Sequence, residues 1–332
     1  MASEHPIAHS ETSADAVPLD GTCSSVLQCR ICQNSEGNRS LSVREMMFGM
    51  AESFTYLHCA ACGVLHLADI PSDLSCYYPS EGYYSVNRRP GLLKRWIMNW
   101  RDRAYLGRSI AGNWLLRKFQ NGALDATLRA ARDRDARILD VGCGGGDLLQ
   151  SLSRLGFKYL HGVDPLLDKS TSVHGVHLIA GDLSAVTGEF DLITFHHSLE
   201  HMPQQATVLK QARERLAPGG QIIVRVPTCD SFAFELYGSN WFQIDAPRHL
   251  FLHTRRSIAL VARQGGLKIE EFYCDSQSMQ FWASDMYKDD LILNSPKLTE
   301  YKGRRKTFYR ELSTFLNAHL RGDQVVVHLR PE

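Results

Sequence analysis

Three carboxylates and a run of glycines in this chain are spaced for binding chemistry. Asp140 lies near the end of the apolar run Ile138–Val141, and Gly142, Gly144, Gly145 and Gly146 follow before an amphipathic segment resumes at Asp147. Read physically, that is a buried strand, a tight turn and a helix N-terminus. The glycines permit positive φ and let a ligand approach the backbone without a Cβ in the way. A dinucleotide site would want a third small residue where Asp147 stands, and Asp140 would sit close to a pyrophosphate. Both features argue against a phosphate ligand and for a cationic or zwitterionic one. A second acid, Asp164, closes the apolar run Tyr159–Val163, where a carboxylate can accept both hydroxyls of a ribose. A third, Asp182, follows the run Val176–Ala180; an N-cap is the alternative role for it.

Cysteines and histidines supply the other reactive groups. Cys29-Arg30-Ile31-Cys32 is answered by Cys59-Ala60-Ala61-Cys62, and two such knuckles can offer four thiolates to a tetrahedral zinc ion. Four sulfurs leave no open coordination position, so a zinc held there is structural. Buried free thiols or a redox pair are the alternatives; His58 and His66 lie nearby and are not required. The histidines fall at His196, His197 and His201, with Glu200 among them, and again at His249 and His253. A histidine held in a pocket by its ring partners can take a proton near neutral pH.

These residues together resemble the class I S-adenosylmethionine-dependent methyltransferases. Their first motif, acid-x-Gly-x-Gly-x-Gly, is matched by Asp140, Gly142, Gly144 and Gly146. Leu199-Glu200-His201-Met202-Pro203 matches a common post-strand signature of the family, and Ala217-Pro218-Gly219-Gly220 matches its closing turn. The resemblance implies that Asp140, the three glycines, Asp164, Asp182, the Leu183 backbone N–H and His197 contact S-adenosylmethionine, with Asp182 on the adenine amino group. The N-terminal cysteines make the chain similar to bacterial methyltransferases of sugar and glycan pathways. In zinc-bearing sugar methyltransferases a segment like Asp245–His253 carries an acid–His pair; His249 falls at that histidine, and Arg248 replaces the acid. His249, then His201, are therefore the expected general bases, while His196, His197 and Glu200 stay open as alternatives.

The elements that must position these groups follow from periodicity. Strands alternate with helices from Ile138 onward, which predicts an α/β, Rossmann-like parallel sheet of seven strands, the last antiparallel. Ligands in such sheets sit beyond the C-terminal strand ends, where Asp140, Asp164, Asp182 and the His196–His201 loop all fall. The expected organisation is a disordered leader over 1–27 and a zinc-ribbon-like region over 28–75. A Tyr-rich connector with basic, aromatic helices over 76–135 comes next, then the catalytic domain over 136–332 with a helical insertion at about 276–321. The tyrosines of Cys76–Ser85 read either as a packed loop or as a lid over the site. Trp96 and Trp100 share a helix face in a stretch rich in Arg and Lys. That face either packs on the domain or touches a lipid-linked or phosphorylated substrate at a membrane surface.

Composition narrows the function classes. The chain has 332 residues, 44% hydrophobic, with a formal net charge of +1, so nothing global draws it to nucleic acid. No run approaches the length of a bilayer span, and no export signal opens the chain. With nine cysteines, an odd number, a reducing cytoplasm is expected. The expected function is methyl transfer to a hydroxyl or carbon of a sugar, glycan precursor or related small natural product. The alternatives are a catalytically idle scaffold that kept the fold and, less favoured because of Asp147, an NAD protein.

Overall fold

The computed structural model describes residues 28–50, 52–78, 92–105, 121–131, 133–173 and 175–332. The leader over 1–27, most of the Tyr-rich connector including Tyr83 and Tyr84, and the basic stretch around Arg108–Lys118 lie outside the described residues.

Two sheets build the molecule. The larger contains β4 (Arg137–Val141), β5 (Tyr159–Asp164), β6 (Thr171–Val173), β7 (Val176–Ala180), β8 (Phe190–His196), β9 (Leu216–Pro227), β11 (Leu267–Cys274) and β12 (Gln324–Pro331). Its order is β11-β12-β9-β8-β4-β5-β7-β6. The strands from β7 to β9 run parallel, and β12 lies antiparallel between β9 and β11. The central strand β4 is buried over four of its five residues, which explains its nearly continuous apolar sequence. Seven strands were expected; the eighth, β6, is an exposed three-residue edge that pairs antiparallel with β7.

Register decides what surrounds the glycine turn. Asp140 lies opposite Gly162 on β5 and Thr194 on β8. A Cβ at Gly162 would come within 2.6 Å of Cys143 Sγ and 2.7 Å of Leu149, so glycine there lets the turn and its helix settle onto the sheet. That helix, Asp147–Arg154, buries Leu148, Leu149 and Leu152 and starts from Gly146, whose φ of 78° is left-handed.

The smaller, antiparallel sheet contains β1 (Arg39–Arg44), β2 (Ser53–His58), β3 (Leu65–Leu67) and β10 (Phe251–Leu252), in that order. Its last strand comes from the segment that follows His249, so the cysteine-bearing region and the His249 segment share one sheet. The apolar core is continuous across them, running from Cys29 and Tyr56 through Phe195 and Val224 to Phe281. The insertion after β11 consists of the helices Met279–Lys288, Leu298–Gly303 and Lys306–Ala318.

Candidate active site

The glycine turn and two of the three acids come together. Gly144 donates its N–H to Asp164 Oδ2 at 2.8 Å, and Leu166 donates to Asp164 Oδ1 at 2.8 Å. Asp164 is therefore fixed in place while each oxygen keeps a further lone pair. Asp140 is buried and accepts from Thr194 Oγ1 at 2.8 Å. Burial pushes its carboxyl up to about 7, against the pull of the Thr194 hydrogen bond, and the nearby Asp164 charge pushes the same way. A buried acid half-neutral near pH 7 is suited to a cation arriving beside it. Gly142 answers to packing as well: a Cβ on its left-handed backbone would meet Ser198 Cβ at 2.4 Å. Asp182 adopts the alternative role as an N-cap, accepting from Ser184 N at 2.8 Å, and the two Ser184 hydrogen bonds hold its carboxyl below the usual range. It stays exposed, and Leu183 beside it is buried.

The loop after β8 and the segment after β9 meet in a second cluster. His201 and His249 lie edge to face with ring centroids 4.8 Å apart. Glu200 beside them is fully buried, its Oε1 3.1 Å from His197 Nδ1 and 4.0 Å from His249 Nε2. Burial would raise the Glu200 carboxyl, but the His197 hydrogen bond and the fields of the His197, His201 and His249 rings outweigh it and hold it down at about 2. His249 donates Nδ1–H to the Gln243 carbonyl at 2.7 Å, so its lone pair is on Nε2. Burial, with the His201 ring, pulls the His249 imidazole down to about 4, and it is neutral at physiological pH. His197 and Asp245 hold left-handed backbone, at φ 52° and 42°, on either side of this cluster. Of the other histidines, His196 is half-buried with Nε2 3.1 Å from Thr127 Oγ1, and His253 is buried and spans Ser257 and Gln205. Neither joins the His201–His249 pair.

Arg248, which occupies the place of the acid in the family's acid–His pair, is fully buried, donating to both oxygens of Asp245 at 3.0 and 2.6 Å and to Glu45 Oε1 at 3.0 Å. Glu45, from the loop after β1, also accepts backbone N–H groups of Met47, Phe48 and Met50. Tyr56 on β2 donates to the His249 carbonyl at 2.8 Å, and Tyr78 Oη lies 3.2 Å from His201 Nδ1. The N-terminal region thus forms one wall of the histidine cluster. Sequence reasoning missed this clamp, and nothing local to Glu45 signals it.

The four cysteines converge. Their ligand atoms lie within 4.8 Å of one another, with Sγ–Sγ distances of 3.7 Å for Cys29–Cys62 and 3.5 Å for Cys32–Cys59. Sulfurs about 2.3 Å from a tetrahedral ion would be about 3.8 Å apart, so the two measured separations are of the size that zinc requires. Each knuckle turns through a left-handed residue, Gln33 and Gly63. Both dock on the helix Arg255–Gln264, through Thr254 Oγ1 to the Cys62 carbonyl at one end and Gln264 to the Ile31 carbonyl at the other.

In the helix Leu92–Ala104, Trp96 and Trp100 are exposed and stacked at 4.8 Å. Arg101 does not belong to the basic surface: it is buried on Asp102, which Arg154 also grips. No helix among the described residues is long and apolar enough to cross a membrane.

Comparison with known proteins bears on the catalytic half. Residues 115–271 match a family model described as a methyltransferase domain. The ubiquinone biosynthesis O-methyltransferase of Xanthomonas oryzae pv. oryzae is 31% identical over 131 residues, covering 34% of this chain and 53% of the relative. That of Aromatoleum aromaticum is 30% identical over 154 residues, covering 41% and 65%. The chain therefore spans about half the length of the first of these relatives and somewhat more of the second. Among solved structures, the CcbJ methyltransferase from Streptomyces caelestis aligns over 63% of this chain and 94% of its own at 14% identity, with a TM-score of 0.39. Strand order and glycine turn agree with that family model, and the fold is the α/β fold of the class I methyltransferases.

Proposed function

We propose that this protein transfers a methyl group from S-adenosylmethionine to an oxygen of a small hydroxylated acceptor, with the Glu200–His201–His249 cluster as the place where the acceptor is activated. The observation that carries the reading is the convergence of Asp140, Asp164 and the glycine turn at the same strand ends from which the histidine cluster rises. Asp164 takes the ribose hydroxyls, Asp140 faces the cationic part of the cofactor, and Asp182 with the Leu183 N–H takes the adenine edge. His197 lines the cofactor side of the loop.

Transfer is an in-line displacement, and most of the work is alignment of oxygen, methyl carbon and sulfur. The acceptor O–H proton passes to His249 Nε2, the O–CH3 bond forms, and the S–CH3 bond breaks to leave a neutral thioether. His201 beside it is the second candidate for the proton. Relatives named for O-methylation favour oxygen over carbon. The N-terminal cysteine region favours a sugar or glycan precursor as acceptor, while the relatives' names favour an intermediate of ubiquinone biosynthesis. Turnover assays with nucleotide sugars and with such an intermediate separate the two; turnover of neither, with cofactor bound, would support the idle-scaffold alternative.

The four cysteines hold one structural zinc in this reading. Metal analysis should find about one zinc per chain, and chelation should loosen β3, and through β10 the His249 segment. Four thiols that alkylate freely in the folded protein, with no zinc present, would remove this part. The exposed Trp96–Trp100 pair is proposed as a contact for a lipid-linked acceptor. Loss of co-sedimentation with anionic liposomes in Trp96→Ala/Trp100→Ala is expected, and absence of binding at low salt in the native protein would end the idea.

A further inference from the structure

Glu200, His201 and His249 are arranged as more than a base and its neighbours. Each offers one ligand atom, and the three atoms lie within 4.8 Å of one another. Glu200 is wholly out of water, and its Oε2 has no hydrogen-bond partner. A buried carboxylate oxygen left unpaired is unfavourable and calls for an explanation.

The histidines supply a second, independent observation. His201 Nδ1 lies 2.8 Å from the Arg248 carbonyl, and His249 Nδ1 lies 2.7 Å from the Gln243 carbonyl. A carbonyl only accepts, so both rings carry their hydrogen on Nδ1 and keep a lone pair on Nε2. Main-chain carbonyls holding Nδ1–H are the usual outer-shell device for aiming imidazoles at a metal. The Glu200–His249 separation of 4.0 Å is too long for a hydrogen bond. It suits two ligands of one ion, which at about 2.1 Å from the centre stand about 3–4 Å apart.

We infer that Glu200, His201 and His249 form a divalent-cation site whose open positions receive the acceptor. Two imidazoles and one carboxylate suit manganese, iron, cobalt or zinc better than calcium or magnesium. Three protein ligands leave neighbouring positions free, which an acceptor with two adjacent oxygens, such as a vicinal diol, can occupy together. The inference rests on the acceptor standing at this cluster and changes only how its proton is lost. With the ion bound, the coordinated hydroxyl gives its proton to solvent before transfer, and His249 is a ligand instead of the base.

Manganese is the chosen probe because it is too hard to compete for the four cysteines. The full chain, with its cysteine site zinc-loaded, is titrated with MnCl2 while free Mn2+ is read by electron paramagnetic resonance. One site per chain is expected, weakened at least tenfold in His201→Ala and in Glu200→Gln. His201 is only partly buried, so its truncation should leave the thermal unfolding midpoint near that of the native protein. Pulsed measurements on the native protein should show nitrogen couplings from two imidazoles, a readout that needs no variant. Absence of binding, binding undiminished in His201→Ala, or absence of imidazole coupling would each overturn the site. Failure here with S-adenosylmethionine still bound removes the ion alone; manganese binding without cofactor binding removes the methyl-transfer reading instead.

Discussion

His249→Ala should keep its affinity for S-adenosylmethionine and lose turnover by on the order of 10²–10⁴-fold. The two effects separate because of where the ring stands. His249 follows the Arg248 clamp and faces Glu200 and His201, whereas the cofactor groups Asp140 and Asp164 are fixed by Thr194, Gly144 and Leu166. Removing the ring takes away a proton acceptor, or a metal ligand, and touches none of those bonds. Calorimetric cofactor affinity and steady-state turnover on the variant check it, and near-native turnover would move activation to another group. The pH dependence has a definite sign. His249 is held down at about 4, so it is already neutral at pH 6 and its protonation does not limit the rate there. A fall in kcat/KM below about pH 7 would belong to Asp140.

Arg248→Met should destabilise the fold by about 3–5 kcal/mol, the cost of leaving buried carboxylates without their partner. Arg248 faces two of them, Asp245 and Glu45, and is itself inaccessible to solvent. Burial would raise the Asp245 carboxyl, but the Arg248 charge and hydrogen bonds outweigh it and hold it below its ordinary 3.8. Asp245 therefore contributes stability that is present above about pH 4 and is lost as pH falls through its depressed folded value. In the variant that contribution is gone, and the stability difference between native and variant should narrow in acid. Urea unfolding at pH 7 and at about pH 2.5 measures both; a change under about 1 kcal/mol at pH 7 would mean that water or relaxation satisfies the two acids.

The parts of this architecture that could be read from the chain are those whose cause is local. The glycine turn, the acids at strand ends and the two Cys-x-x-Cys knuckles each lie within a few residues, and their spacing carries the geometry. Asp182 shows the limit: the same strand-end position serves a ligand contact and an N-cap, and Ser184 next to it decides for the cap without excluding the contact. Arg248 shows the other limit. Its position beside His249 reads as a substituted catalytic acid, yet its partner Glu45 is 203 residues away and no local pattern marks the pair. Likewise the strand Phe251–Leu252 joins the N-terminal sheet, which no period in a two-residue strand could announce. Arg101 reads as one of many surface cations and is spent on Asp102 inside the molecule.

Calorimetric titration of the purified protein with S-adenosylmethionine at pH 8 and pH 6, with NAD as the parallel ligand, tests the central claim most directly. A cation beside Asp140 favours its ionised form, so the affinity should be about tenfold weaker at pH 6 than at pH 8, with proton release on binding and no NAD heat. Tight NAD uptake with indifference to S-adenosylmethionine at both pH values would contradict the account.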